Sequence, residues 1–173
     1  NEGLSNPNSF VDMHLVIDDG IEIHAFSEEI GLVSLEEAGD DWIVAEAGDM
    51  PTSFATMHAM EYDPESDSFL AGSQDGKLSK RFRASNTWSA LDTPIESMIT
   101  NLKTSPRYGL ITTTRNEVYF RSASKYWSLK TRFLEQTEIL SIEEVPGSNN
   151  LITGGYGGSY HYTQLTNQWT PRL

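Results

Sequence analysis

The stretch Phe69-Leu-Ala-Gly-Ser-Gln-Asp-Gly-Lys-Leu-Ser-Lys-Arg-Phe-Arg-Ala-Ser-Asn-Thr-Trp88 decides how the chain is read. Two strand-like runs flank Asp75-Gly76, and a polar loop then leads to Trp88. Asp-Gly between such runs predicts a hairpin closed by a type I′ turn, which needs positive φ at both central residues. A further strand is predicted to open on Trp88.

The same arrangement recurs along the chain. Met57–Pro64, Ser97–Thr104 and Ile139–Pro146 read as first strands, and Phe69–Ser73, Gly109–Thr113 and Leu151–Gly155 as second strands. Turns follow at Asp75-Gly76, Arg115-Asn116 and Gly157-Gly158, then third strands at Lys77–Arg83, Glu117–Ser122 and Ser159–Gln164. Fourth strands open at Trp88, Trp127 and Trp169. Gly76, Asn116 and Gly158 lie 40 and 42 residues apart, and the three tryptophans 39 and 42 apart. Trp42, the remaining tryptophan, precedes Trp88 by 46. Upstream, Phe10–Asp18, Gly20–Ser27, Gly31–Glu36 and Asp41–Ala47 supply four more strand-like segments. Aligning Asp19-Gly20 with Asp75-Gly76 would make Phe10–Asp18 a second strand and leave that blade without its first, whereas counting from Phe10 gives four strands ending at Trp42, which is the preferred reading.

A period near 40 with four strands per unit is the pattern of a β-propeller, whose blades pack face to face. The repeat resembles the WD40 and BNR-type propeller families, most closely in Leu70-Ala-Gly-Ser-Gln-Asp-Gly-Lys-Leu and Leu151-Ile-Thr-Gly-Gly-Tyr-Gly-Gly-Ser-Tyr. No Gly-His pair opens a blade and no Trp-Asp pair ends a third strand. Ala84-Ser-Asn-Thr-Trp88 is similar to a sialidase Asp-box but lacks its Asp and Gly. The predicted fold is all-β, with antiparallel four-stranded blades of a β-propeller. Residues 1–9 read as a flexible tail, and blades are expected at about 10–50, 54–93, 95–135 and 137–173. Four blades make a compact ring, an excerpt, or half of a larger or dimeric ring, and repeat arrays need their end faces covered.

Charge divides the chain sharply. Residues 1–76 contain no Lys or Arg yet hold 18 of the 25 acids, whereas residues 77–173 hold all 12 Lys and Arg. The halves carry −18 and +5, which together give the net −13. Such segregation bears on association and steering rather than on fold. It favours a basic protein or peptide as partner, or the basic half of another chain in a homodimer or hetero-assembly that completes a propeller. It disfavours nucleic acid, whose phosphates the acidic half repels. Residues proposed for partner binding are Asp18, Asp19, Glu36, Glu37, Asp40, Asp41, Lys80 and Arg81, with Lys80 and Arg81 on opposite faces of their strand. Trp42, Trp88, Trp127, Trp169, Gly76 and Gly158 are read as structural anchors of the blades, because regular recurrence is what a shared packing role produces.

Catalytic and metal signatures are weak. His14, His24, His58 and His161 show no ligand spacing, and Asp63-Pro-Glu-Ser-Asp67 lacks the glycine and distal Glu of a calcium loop. There is no Gly-x-Ser-x-Gly elbow, and Gly154–Gly158 lacks the Lys-Ser/Thr of a phosphate cradle. The expectation is a non-enzymatic propeller scaffold without cofactor or metal. The alternative is a lectin-like or sialidase-like glycan binder using the tyrosines crowded into the second half, Tyr108, Tyr119, Tyr126, Tyr156, Tyr160 and Tyr162. No apolar run approaches the roughly 20 residues that span a bilayer. With zero cysteines and no signal-like start, the sequence points to an intracellular location, cytoplasmic or nuclear.

Overall fold

The computed structural model describes residues 57–85 and 87–172 in full, together with the backbone of four earlier strands. Those four are β1 (Phe10–Ile17), β2 (Ile21–Ser27), β3 (Gly31–Leu35) and β4 (Trp42–Val44). The second sheet holds β5 (Met57–Asp63), β6 (Ser68–Ser73), β7 (Leu78–Phe82) and β8 (Ser89–Leu91). The third holds β9 (Ile99–Ser105), β10 (Gly109–Thr114), β11 (Glu117–Arg121) and β12 (Trp127–Arg132). The fourth holds β13 (Glu138–Glu144), β14 (Asn150–Tyr156), β15 (Gly158–Thr163) and β16 (Gln168–Arg172). Each sheet is antiparallel with its strands in chain order, and the described residues contain no helix. The first unit therefore runs from Phe10 to the strand that opens on Trp42.

In β6, Ser-Phe-Leu-Ala-Gly-Ser, all six residues are buried. The turn after it differs from the sequence prediction. Asp75 does not adopt positive φ, Gly76 alone does (80°), and Ser73 N–H donates to the Lys77 carbonyl at 3.0 Å. The connection is thus a three-residue loop, Gln74-Asp75-Gly76, ending in one left-handed glycine rather than a type I′ turn. Ser73 Oγ anchors it, accepting from Lys77 N–H at 2.9 Å and donating to Asp75 Oδ1 at 2.5 Å.

A feature with no sequence signature recurs in every first strand. Pairing slips by one residue between Phe10 and Asp12, between Met57 and Ala59, between Ile99 and Asn101, and between Ile139 and Ser141. The skipped residues, Val11, His58, Thr100 and Leu140, are β-bulges, which bend a strand and re-aim its side chains. Gly155 belongs to the last of these sites, where β14 approaches the bulged β13 too closely for any Cβ.

The chain divides into two compact units, residues 1–96 and 97–173. In the first, β1 and β5 are neighbours. In the second, Ile111, Val118 and Phe120 of the third sheet pack on Ile139, Ile142, Leu151 and Tyr162 of the fourth. Backbone bonds reinforce this stacking at the β10–β11 turn: Ile139 N–H donates to the Arg115 carbonyl and Phe133 N–H to the Asn116 carbonyl, both at 2.7 Å. Ion pairs Lys103–Glu143 (3.0 Å) and Arg115–Glu138 (3.8 Å) flank the core.

Candidate binding surfaces

Of the residues proposed for partner binding, Asp18, Asp19, Glu36, Glu37, Asp40 and Asp41 lie outside the described residues. Lys80 and Arg81 are described, and strand alternation separates them. Lys80 keeps a half-buried ammonium, donating to Ser66 Oγ at 2.8 Å and lying 4.9 Å from the Phe82 ring centre. Arg81 is only 3% exposed, with Nε donating to the Ser85 carbonyl at 2.5 Å. The guanidinium thus lies inside the protein, bonded to the Ser85 carbonyl.

The acidic loop Asp63–Asp67 is absorbed by its own turn. Asp63 accepts from Glu65 N–H at 3.2 Å and from Ser66 Oγ. Asp67, at φ 45°, accepts from Tyr62 Oη at 2.5 Å and pairs with Arg83 at 3.1 Å. The β15–β16 turn repeats the device, with Asn167 at φ 53° accepting from Tyr162 Oη at 2.8 Å. Among the described residues no group of three metal-ligating side chains forms. In the first sheet the register sets His14 opposite His24, a pairing that their ten-residue separation in sequence does not show.

The tryptophans that are described in full have packing partners. Trp169 meets Phe133 edge-on at 5.6 Å and Tyr162 at 5.2 Å, against the second unit's core. Trp127 opens β12, with the Arg121 guanidinium 5.7 Å from its ring. Trp88 is half-buried just before β8, and Trp42 opens β4. Gly158, at φ 118°, begins β15 in a conformation that L side chains rarely adopt. Most tyrosines are likewise engaged. Tyr162 is buried, Tyr160 stacks on Phe133 at 4.1 Å, and Tyr108 lies between Phe120 and Tyr162 at 5.0 and 5.9 Å. Tyr126 and Tyr156 are exposed.

One cleft, of about 410 Å³, lies in the second unit and is lined by Pro106, Arg107 and Glu144. The β9–β10 turn forms one wall. It is fixed by Tyr108 Oη donating to the Asn149 carbonyl and by Arg107 Nη1 donating to Gln164 Oε1 at 3.1 Å. Burial raises the Tyr108 phenol above its ordinary 10.0, and Tyr162 and Glu144 push it further while Arg107 opposes them. Glu144 Oε1 is buried with no hydrogen-bond donor among the described residues. Sequence reasoning missed this cleft because Arg107 and Glu144 are far apart in the chain and only the blade stacking brings them together.

No protein-family model matches the chain, and no curated protein matches it in sequence. Solved structures do match in fold. The extracellular domain of the BT4673 one-component system from B. thetaiotaomicron superposes with TM-score 0.74 at 14% identity, over 99% of this chain and 23% of that one. The U3-55K structure gives 0.73 at 12% identity, and the RRP9 WD40 repeats 0.71 at 11%. The chain spans about half the length of these last two, 52% of each. The intracellular location expected from the lack of cysteines is corrected by this comparison, since extracellular domains are among the matches and point away from it. The blade repeat, the strand order and these likenesses together make the chain an all-β protein built from four-stranded antiparallel blades of the β-propeller type.

Proposed function

We propose that the chain is a non-catalytic propeller module that docks a basic protein or peptide through its acidic first part. The observation that carries this reading is the charge segregation: 18 acids and no Lys or Arg over residues 1–76. Five of those acids fall within residues 57–76, and several of them are occupied by turn hydrogen bonds or an ion pair. The reading therefore rests on the 13 acids of residues 1–56.

Glycan recognition has less support, because a stacking surface needs exposed rings and Tyr108, Tyr160 and Tyr162 are engaged in packing against other rings.

Titration with a Lys/Arg-rich peptide at increasing salt tests the proposal. Affinity should fall steeply as the Debye length shrinks from about 30 Å at 0.01 M salt to about 8 Å at physiological strength. Binding that ignores salt, or no binding at low salt, overturns it.

A further inference from the structure

β12 lies at the margin of the third sheet, and among the described residues it pairs with β11 alone. The hairpin that leads into it fixes which way its main chain points. Ser122 N–H donates to the Tyr126 carbonyl at 3.0 Å, which makes these two a hydrogen-bonded pair. Bonded and non-bonded pairs alternate along an antiparallel ladder. Arg121↔Trp127, Phe120↔Ser128 and Tyr119↔Leu129 continue the register. Ser128 is therefore turned to β11, and the N–H and carbonyl of Leu129 are turned to the open margin. Leu129 is itself 47% exposed.

Cations crowd this margin. Pairing slips between Val118 and Tyr119, and the residue skipped on β12 is Lys130. Its ammonium lies 5.3 Å from the centre of the Phe120 ring. Lys125 stands at φ 66° in the exposed turn before β12, and the Arg121 guanidinium lies 5.7 Å from the Trp127 ring. Glu117 pairs with Arg132 at 2.5 Å, whereas among the described residues no carboxylate lies within ion-pair distance of Arg121, Lys125 or Lys130.

A strand margin with unused bonding groups is a template for another strand. Cations along it repel a second copy of β12 and favour a strand that carries carboxylates. We propose that β12 receives an acidic peptide in extended form, added as a fifth strand of the third sheet. Leu129 N–H donates to a carbonyl of the peptide, and its own carbonyl accepts from a peptide N–H. Side chains of an added strand alternate between the two faces of the sheet. Lys130 lies on the Phe120 face and Leu129 on the opposite one, so alternating acidic and apolar residues suit the two faces. The bulge bends β12 beyond Leu129, which keeps the pairing short. The site lies within residues 97–173, so it stands or falls separately from the docking of a basic peptide on residues 1–76.

Amide exchange followed by NMR, with a short peptide alternating Glu and Val, tests the proposal. Physiological salt screens charges beyond about 8 Å, which leaves contacts at the site itself to decide the outcome. At saturating peptide the Leu129 amide is expected to exchange about tenfold slower or more, and the Ser128 amide, already turned to β11, to change little. Lys130→Glu is expected to weaken binding about tenfold with the circular dichroism spectrum unchanged. If it disturbs the spectrum, Lys125→Asn, which suits φ 66°, decides by the same titration. Methylating every backbone nitrogen of the peptide keeps its charge, removes its donors and is expected to abolish the protection. Equal affinity for the two peptides marks an attraction of charge alone, of the kind a nucleic acid strand would share, and overturns the proposal. So does an unchanged Leu129 amide, or a folded variant that binds as the parent does.

Discussion

Gly155 sits against Glu138 so tightly that a Cβ on the glycine would fall 1.8 Å from the glutamate's carbonyl oxygen. The obstacle is backbone, which cannot swing away as a side chain does. Gly155→Ala must therefore open the β13–β14 pairing at its bulge, and a loss of about 3 kcal/mol is expected. At Gly154 a Cβ would meet only Ser141 Oγ, at 3.4 Å. Gly154→Ala is accordingly expected to change stability by less than about 1 kcal/mol. Urea unfolding of the two variants checks the contrast.

Two hairpins are closed by a tyrosine bonded to a left-handed Asx residue five positions on, Tyr62 to Asp67 and Tyr162 to Asn167. Tyr162→Phe removes one hydrogen bond and is expected to cost about 1 kcal/mol. Asn167→Ala loses the same bond and also places an alanine at φ 53°, so it should cost more. Asn167→Gly should recover part of that difference in the same unfolding assay, since glycine tolerates this φ.

Burial holds the phenols of both Tyr108 and Tyr162 above their ordinary 10.0. The unfolded chain then releases these protons at lower pH than the folded one. Stability from this source is complete below the unfolded value and declines as pH rises through the folded values. The urea midpoint is expected to fall between about pH 9 and about pH 11 as the unfolded phenols ionise, and the fall should be shallower in Tyr162→Phe. A wild-type midpoint level across that window contradicts the assignment.

Arg81 and Lys80 should separate in their effects. Arg81→Met withdraws a buried guanidinium from the Ser85 carbonyl, and a loss of about 2 kcal/mol or more is expected. Lys80→Met removes one half-buried ammonium whose bond to Ser66 water can replace, at a cost of about 1 kcal/mol or less. Thermal unfolding distinguishes them. Equal effects would return Arg81 to the surface.

Strand order and blade count were legible because glycine turns and tryptophans punctuate the chain at nearly constant spacing. That punctuation reflects local chemistry: Gly76 and Gly158 stand where φ is positive, and Trp169 leans on the aromatic core of its unit. What stayed hidden is non-local. A bulge at His58, Thr100 or Leu140 is a one-residue slip against a partner strand, and neither the residue type nor its spacing announces it. The turn at Asp75-Gly76 follows from how Ser73 bonds to Lys77, which the dipeptide alone does not specify. Arg81 read as surface because charge defaults to solvent, while the Ser85 carbonyl that holds it becomes visible only in three dimensions. The acids that carry the functional reading are plain in the sequence, but the cleft at Glu144 depends on the stacking of two blades.

Hydrogen–deuterium exchange of the full chain, with and without a Lys/Arg-rich peptide at low salt, addresses the central claim most directly. Docking through the acidic first part predicts slowed exchange concentrated in residues 1–76, reversed when physiological salt is restored. Protection confined to residues 97–173, or no change anywhere at saturating peptide, contradicts it.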